Sequence, residues 1–345
     1  MTANILLVGS GGVGTIAALN LEAGGLASVT AVLRSNYSKV TTDGFHIKSI
    51  DHGEITHWRP SEILNKIPHY SNKHFDYIVV TTKNIADTTP TTAELIAPAV
   101  TPGKTVIVLI QNGLNIEKPL FEIFPQNVVL SGVSRVDSHE IASGVIEQVD
   151  HDRLIIGAFR NPTPNLNIES GVDNETDADA AARHFVQIYS AAGKTDCRYV
   201  PAEEVPFYRW QKLVYNACMN TICAITGLDT GRIQLAEGAV ENLVRPAMNE
   251  IVAAAAAVGV RLPADIVDKM IAIDPVTAYL RPSMLEDVGR GNLTEFENIL
   301  GEPLREGTAR GVSMPTATFL YHTLKAIQWR VKEEKGMVTI PSRNV

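Results

Sequence analysis

The chain has 345 residues, of which 45% are hydrophobic and 20% charged, and its formal net charge is −8. This length favours two domains, and the acidic balance argues against a surface that binds nucleic acid. No apolar run approaches the roughly 20 residues that a membrane span needs, so we expect no membrane partner. The chain begins directly on a strand pattern, with neither a basic region nor a cleavage site, which predicts a cytoplasmic protein.

The first predicted element is a strand that leads through a glycine-rich turn into a helix, in NILLVGSGGVGTIAALNLEAGG. Three glycines have the G-x-G-x-x-G spacing of a turn that binds a dinucleotide. The first permits the tight turn, the second lets a pyrophosphate approach the backbone, and the third lets the helix pack on the strand. We therefore assign the whole turn to cofactor binding, namely Gly9, Ser10, Gly11, Gly12, Val13 and Gly14.

The second strand, SVTAVLR, ends at Arg34, about 20 residues after the glycine turn. A fold that prefers NAD usually has a carboxylate at this place, where it holds the ribose hydroxyls. An arginine can instead pair bidentately with a 2′-phosphate, so we predict that Arg34 binds NADP. The alternative is a solvated arginine at the end of a strand.

Further strands are predicted at 77–83, 105–113 and 127–135. Apolar strands that alternate with helices form a parallel sheet, and ligands bind beyond the carboxyl ends of such strands. Lys83 and Asn112 end two of these strands, so we assign both to the cofactor crevice. Asn112 and Gly113 also have the composition of a turn, and the two roles are compatible.

The pattern changes after Arg135. The segment GVIEQVDHDRLIIGAF contains two alternating runs around Asp150, which predicts a hairpin. Residues 160–179 are polar and rich in Pro and Asn, which predicts an exposed loop. AAARHFVQIYSAAG then predicts a helix that ends at Gly193, TDCRYV predicts a strand, and PAEEVPFYRW predicts a hinge into a second domain.

No strand pattern occurs from Trp210 onward, and helices are predicted at 238–259 and 315–336. The segment RPSMLEDVGRGNLTEFENILG between them has a charged, glycine-interrupted turn before another helix. Three cysteines are an odd number and lack metal-ligand spacing with histidine. We therefore expect no disulfide framework and no metal site, and we expect free thiols in the core at Cys197, Cys218 and Cys223.

The apolar helix KLVYNACMNTICAITG carries Lys212, Asn216 and Asn220 at intervals of four residues. Residues at this spacing lie on one face of a helix. A buried ammonium costs several kcal/mol unless a partner compensates it, so this face should meet a ligand or a carboxylate. The alternative is a snorkelling lysine beside two capping amides.

These features resemble the ketopantoate reductases (2-dehydropantoate 2-reductases), and the resemblance covers nearly the whole chain. It is carried by GSGGVG at 9–14, QNGL at 111–114, KLVYNACMN at 212–220 and PSMLEDVGRGNLTEFE at 282–297. It implies an α/β Rossmann-type N-terminal domain, an all-α C-terminal domain, and reduction of a 2-oxo acid by NADPH between them. We expect the NADP-binding domain at 1–203 and the helical domain at 204–345.

The resemblance also implies roles for single residues by matching position. Lys212 corresponds to the proton donor and Glu295 to the acid of the site. Glu295 is also assigned to cofactor binding. The residues implied to bind the substrate are Asn112, Asn216, Asn220 and Ser283. A protonated lysine can stabilise and protonate the alkoxide that hydride transfer to a ketone produces. We expect burial to lower the lysine pKa from its solution value of about 10.4, and Glu295 to oppose that shift.

Leu280 departs from the family pattern, which often has a small polar residue three positions before the serine. The substrate is therefore either ketopantoate, as in pantothenate biosynthesis, or a bulkier or less hydroxylated oxo acid. A hydroxyisobutyrate-type dehydrogenase also has a catalytic lysine, but the serine–glutamate pair fits it poorly. The non-enzymatic alternative is a nucleotide-sensing regulator. For the oligomeric state, a homodimer through the helical domain is a hypothesis.

Overall fold

The computed structural model describes residues 2–161 and 174–341. One compact unit consists of Met1–Thr82, Pro90–Gln111 and Ile116–Val205, and the other of Lys83–Thr89, Asn112–Asn115 and Pro206–Val345. The first unit is α/β and the second is helical, so the predicted fold class is confirmed. None of the helices in the described ranges has the length and apolarity that crossing a membrane requires.

The strands lie in the first unit. They are β1 (Ala3–Val8), β2 (Ala27–Val32), β3 (Phe45–Ser49), β4 (Gly53–Trp58), β5 (Glu62–Leu64), β6 (Tyr77–Val80), β7 (Val106–Leu109), β8 (Val129–Arg135), β9 (Ser138–Ala142), β10 (Val145–Gln148), β11 (Arg153–Ala158) and β12 (Asp196–Tyr199). The large sheet has the order β12-β11-β8-β7-β6-β1-β2-β5, and the small sheet the order β4-β3-β10-β9. In the large sheet, β8 and β11 are antiparallel and every other neighbouring pair is parallel.

Both faces of the large sheet are buried at its centre, because β6 and β7 are apolar at every position and β1 at every position except Asn4. The helices of this unit are α1 (Gly12–Ala23), α2 (Tyr37–Asp43), α3 (Thr92–Ile96), α4 (Lys118–Ile123) and α5 (Asn174–Ser190). Ile5 and Leu7 of β1 pack in a core shared with α1 and α5, whereas Leu6 and Val8 pack in a core shared with α3 and α4. This two-sided burial is typical of parallel sheets and explains the continuous apolar runs in the sequence.

The hairpin predicted around Asp150 is wrong. β10 pairs with β3 and β9 in the small sheet, whereas β11 pairs with β8 and β12 in the large one. The connection between them ends at Asp152, whose buried carboxylate accepts hydrogen bonds of 2.8 Å from Asn20 Nδ2 and from the Tyr189 hydroxyl. Alternation identifies a strand but does not identify its partner.

Several predicted boundaries also differ. β2 ends at Val32 instead of Arg34, β6 ends at Val80 and β7 at Leu109, so Lys83 and Asn112 each lie three residues beyond a strand. Both residues belong to segments that cluster with the helical unit. Of the loop predicted at 160–179, residues 162–173 lie outside the described residues, and 174–179 already form the start of α5.

The second unit is helical, and residues 206–341 contain no strand. Its helices are α6 (Val205–Tyr215), α7 (Thr221–Thr226), α8 (Thr230–Leu235), α9 (Arg245–Ala257), α10 (Ile266–Ile271), α11 (Ser283–Gly289), α12 (Glu302–Thr308) and α13 (Pro315–Glu334). α6 begins inside the segment predicted as a hinge. The cysteines are free thiols, and Cys218 and Cys223 are buried in the core as predicted, whereas Cys197 of β12 is only partly buried.

Candidate active site

The glycine-rich turn connects β1 to α1, and its spaced glycines have different surroundings. Gly9 has a φ of 106°, and a Cβ there would lie 2.7 Å from the backbone nitrogen of Thr82. A Cβ at Gly14 would lie 1.8 Å from the Gly9 carbonyl oxygen, whereas a Cβ at Gly11 would meet no atom within 4 Å. The packing of the turn thus requires the first and third glycines, and the second leaves the backbone open to a ligand.

The residues beside the turn fit a pyrophosphate. Ser10 is buried, and its hydroxyl has no hydrogen-bond partner among the described residues. Its carbonyl oxygen accepts a hydrogen bond of 3.0 Å from Asn36 Nδ2. Gly12 packs against the Ser138 carbonyl, and Val13 is partly buried in the first turn of α1, whose N-terminal N–H groups favour an anion. An unpaired buried hydroxyl next to such a helix end needs a ligand or water to satisfy it.

Arg34 lies two residues beyond the end of β2. Its side chain is exposed, as is that of Ser35, and its guanidinium forms no ion pair with the part of the chain that the structure describes. This arginine is therefore available to an anion that approaches the end of β2.

In the helical unit, Asn112 connects Lys212 to Glu295. Lys212 Nζ donates a hydrogen bond of 2.7 Å to Asn112 Oδ1, and the Asn112 amide acts on the Glu295 carboxyl and lowers its pKa. The amide therefore has its acceptor towards an ammonium and its donor towards a carboxylate. This orientation favours the ionised form of Glu295, because the amide donor stabilises the negative charge of the carboxylate.

Glu295 is 5% exposed, and burial raises the pKa of its carboxyl above the ordinary value of 4.5. The positive charge of Lys83, the Asn84 N–H and the Asn112 amide oppose this rise in pKa, whereas the charge of Asp287 adds to it. The Asn84 N–H donates to Glu295 Oε1 over 2.9 Å, and Lys83 Nζ forms an ion pair with Asp287. Burial likewise raises the pKa of Asp287, and this effect outweighs the attraction of Lys83.

A π-helical turn at Asn216–Asn220 separates α6 from α7. On a regular α-helix, residues at i, i+4 and i+8 drift around the axis, because one turn takes 3.6 residues. The π turn takes more residues, since its hydrogen bonds run from i to i+5, and it therefore counteracts the drift from Lys212 to Asn220. Asn216 and Asn220 are buried, and Asn220 Oδ1 has no partner among the described residues.

Ser283 is the first residue of α11 and is partly buried. α11 packs against α7 and against the π turn at Asn216–Asn220, so Ser283 and the two asparagines lie on neighbouring elements. The structure thus joins Lys212 to Asn112 and Asn84 to Glu295 by hydrogen bonds and brings Lys83 to Asp287. The glycine turn and Arg34 belong to the other compact unit.

The sequence did not reveal three further contributors, Asn84, Asp287 and Asn298. Asn298 Oδ1 accepts from Asn84 Nδ2 over 3.2 Å, and Asn298 Nδ2 donates to the Leu114 carbonyl over 2.9 Å. Asp287 could have been found, because it lies four residues after Ser283 on one helix. Asn84 acts on Glu295 through its backbone N–H, for which a sequence has no signal.

Glu295→Gln is expected to raise thermal stability at neutral pH. The folded-state pKa of Glu295 lies above its ordinary value, so ionisation costs the folded state free energy. This free-energy cost is absent at pH values below the ordinary pKa and reaches its full size at pH values above the folded-state pKa. Glutamine stands for the protonated carboxyl, so the melting temperature should exceed that of the wild type at about pH 8 and converge with it towards about pH 4.

Thermal melts across pH measure this difference, with Glu122→Gln, on the exposed surface of α4, as the control. The control should show the same small difference at every pH. A Glu295→Gln variant that is less stable than the wild type at neutral pH would contradict the assignment.

The family described as Ketopantoate reductase PanE/ApbA matches residues 5–161, and that described as Ketopantoate reductase PanE/ApbA C terminal matches residues 206–328. A Saccharomyces cerevisiae protein described as uncharacterized is 36% identical over 97% of this chain and 96% of its own length.

Two solved structures are similar over most of the chain. The structure of 2-dehydropantoate 2-reductase from Methylococcus capsulatus is 31% identical, covers 95% of this chain and 97% of its own, and has a TM-score of 0.73. A ternary structure of D-mandelate dehydrogenase with NADH and anilino(oxo)acetate is 19% identical and has a TM-score of 0.76. The match covers 95% of this chain and 99% of the other. The second likeness shows the fold alone.

Proposed function

Because the chain belongs to the ketopantoate reductase family, we propose that it reduces a 2-oxo acid to the 2-hydroxy acid with NADPH, and that ketopantoate is this oxo acid. Residues 1–203 then form the NADP-binding domain and residues 204–345 the substrate and catalytic domain. The observation that carries the proposal is the hydrogen bond from Lys212 to Asn112, whose amide also acts on the buried Glu295 carboxyl. A protein that only senses a nucleotide has no need of an oriented proton donor.

Lys212 acts as the general acid in this proposal. The hydride for the carbonyl carbon comes from the nicotinamide of the bound cofactor. The carbonyl oxygen then becomes an alkoxide, which the Lys212 ammonium stabilises and protonates. Asn112 keeps the ammonium oriented by accepting its hydrogen bond, and the same amide acts on the Glu295 carboxyl. The overall reaction consumes one NADPH and one proton for each oxo acid.

Asn216, Asn220 and Ser283 are proposed to hold the substrate. The unpaired Oδ1 of Asn220 supports this role, because a buried amide oxygen without a partner accepts a donor such as a substrate hydroxyl. Neutral amides and a hydroxyl orient an anionic substrate without adding charge to the site.

A bulkier oxo acid is the second candidate, and Leu280 favours it. Leu280 is partly buried, and its carbonyl accepts a hydrogen bond of 3.0 Å from the Thr230 N–H. Its backbone is therefore fixed three residues before Ser283, where its side chain offers apolar surface and no hydrogen bond. Initial rates of NADPH oxidation with ketopantoate and with larger, less hydroxylated 2-oxo acids distinguish the two candidates. If none of the 2-oxo acids supports NADPH oxidation, both candidates are refuted.

Arg34→Ala is expected to weaken binding of NADPH much more than that of NADH. Arg34 is exposed and, among the described residues, has no carboxylate partner, so it is proposed to pair with the 2′-phosphate that only NADPH carries. The loss should be roughly 1.5–3 kcal/mol for a charge-assisted contact. Binding titrations with both nucleotides measure it, with Arg59→Ala, another exposed arginine of the first unit, as the control. Equal losses for the two nucleotides would remove the assignment.

A further inference from the structure

A short segment between β6 and α3, residues 83–89, belongs to the helical unit and is called the strap here. Its first two residues contact the proposed site. Lys83 pairs with Asp287, the Asn84 N–H donates to Glu295, and the Asn84 side chain donates to Asn298. The strap therefore supplies a positive charge and a backbone donor to a buried acid.

The other end of the strap is held by α13 through Asp87. Lys332 Nζ lies 2.7 Å from the Asp87 carboxylate and donates a hydrogen bond of 2.8 Å to the Asp87 carbonyl oxygen. Gln328, one turn earlier on α13, donates to both carboxylate oxygens of Asp87, over 3.1 and 3.4 Å. The side chains of Lys332 and Asp87 are 18% and 23% exposed, so solvent screens this pair less than an open surface pair.

Gln328 also binds the residue that precedes Glu295. It is 1% exposed, and its Oε1 accepts hydrogen bonds from the Thr294 N–H over 3.0 Å and from the Thr294 hydroxyl over 3.3 Å. One buried amide thus ties together the strap and the backbone immediately before Glu295. Removing one partner from such a network leaves the other buried groups unsatisfied, so the network resists displacement.

We propose that Asp87, Gln328 and Lys332 form a clamp that positions the strap against Glu295, and that they are positioning residues for the reaction. The proposal rests on the proposed function, in which Glu295 acts with Lys212. The groups that face Glu295 are the Lys83 ammonium, the Asn84 N–H, the Asn112 amide and the Asp287 carboxylate. The clamp fixes the first two of these. Releasing the strap withdraws both stabilising contributions and leaves burial and Asp287 to raise the pKa of Glu295 further.

Two variants open the clamp from opposite sides. Asp87→Ala removes the acceptor, and Lys332→Met removes the charge but keeps most of the apolar stem. Lys332→Arg retains a cation that can reach the same oxygens and should restore wild-type behaviour. The matched control is Arg330→Met on the same helix, whose guanidinium lies 3.7 Å from Glu334, with both side chains 59% exposed.

The first measurement is hydrogen exchange of the Asn84 amide, which needs no substrate. Asp87→Ala and Lys332→Met should each speed its exchange by about tenfold or more, because the N–H loses its fixed acceptor. The second is the pH profile of kcat/KM, whose acid limb should move to higher pH in both variants, with kcat at neutral pH reduced about tenfold. Arg330→Met and Lys332→Arg should match the wild type in both measurements.

Wild-type exchange at Asn84 together with an unchanged pH profile in both clamp variants would overturn the proposal. A lower melting temperature with both readouts unchanged would overturn it as well, since it would show a purely structural clamp. If Asp87→Ala does not fold, Lys332→Met alone decides the matter by the same two readouts. If the wild type reduces no 2-oxo acid, the proposed function fails, and exchange at Asn84 still tests whether the clamp holds the strap.

Discussion

Lys212→Ala is expected to lower kcat on the true substrate by about 10²–10⁴-fold, the usual contribution of general acid catalysis. The change removes both the proton and the positive charge that meet the alkoxide. It also removes the donor to Asn112, which then has only Glu295 at its other end. The affinity for NADPH should change little, because the glycine turn and Arg34 belong to the other compact unit.

Two companion variants separate chemistry from folding. Lys212→Arg keeps a positive charge but donates a proton poorly, so kcat should remain low. Lys325→Ala, which removes an exposed lysine of α13, should keep wild-type kinetics. Initial rates and thermal melts of all three proteins measure these effects. A folded Lys212→Ala enzyme that retains most of its kcat would end the proposed mechanism.

Gly14→Ala and Gly11→Ala are expected to fail in different ways, although the two substitutions are chemically identical. A Cβ at Gly14 would lie 1.8 Å from a backbone oxygen, so the turn must shift. We expect a loss of about 1–3 kcal/mol in the free energy of unfolding without any ligand, together with loss of NADPH binding. A Cβ at Gly11 meets no protein atom within 4 Å, so Gly11→Ala should keep the stability of the unliganded protein within about 0.5 kcal/mol.

Gly11→Ala should nevertheless weaken NADPH by at least about tenfold, because the new methyl group occupies the approach to the backbone. Denaturant unfolding without nucleotide and NADPH titrations separate the two effects. If Gly11→Ala bound NADPH as tightly as the wild type, the pyrophosphate would not approach the turn at this residue.

The local sequence pattern was sufficient to predict those elements that are marked by one clear motif or periodicity. The glycine spacing predicted the turn between β1 and α1, and the helical periods predicted α9 and α13. Pairing between strands depends on distant residues, so alternation could not show that β10 and β11 belong to different sheets. The pair β3 and β4 was not predicted, although apolar and polar residues alternate from Phe45 to Lys48 and a turn residue, Gly53, follows shortly after.

The candidate site was only partly visible in the sequence, because several contacts are made by atoms that all residues share. The spacing of Lys212, Asn216 and Asn220 predicted their common face, but it could not predict the π turn that maintains their alignment. The link from Lys212 to Glu295 joins residues far apart in the chain through Asn112, and a single sequence cannot show such a contact. Asp87 and Lys332 likewise have no motif, and only the fold brings them together.

We propose that NADPH reduces the carbonyl of a 2-oxo acid and that Lys212 donates the proton. The most direct test is mass spectrometry of the 2-hydroxy acid formed from 2-oxo acids and NADPH that carries deuterium at the transferred position. We expect the wild type to place one deuterium on C2 of the product, and Lys212→Ala to accumulate that product at least about 100-fold more slowly. Tight binding of NADPH with no deuterium transferred to any 2-oxo acid would contradict the claim.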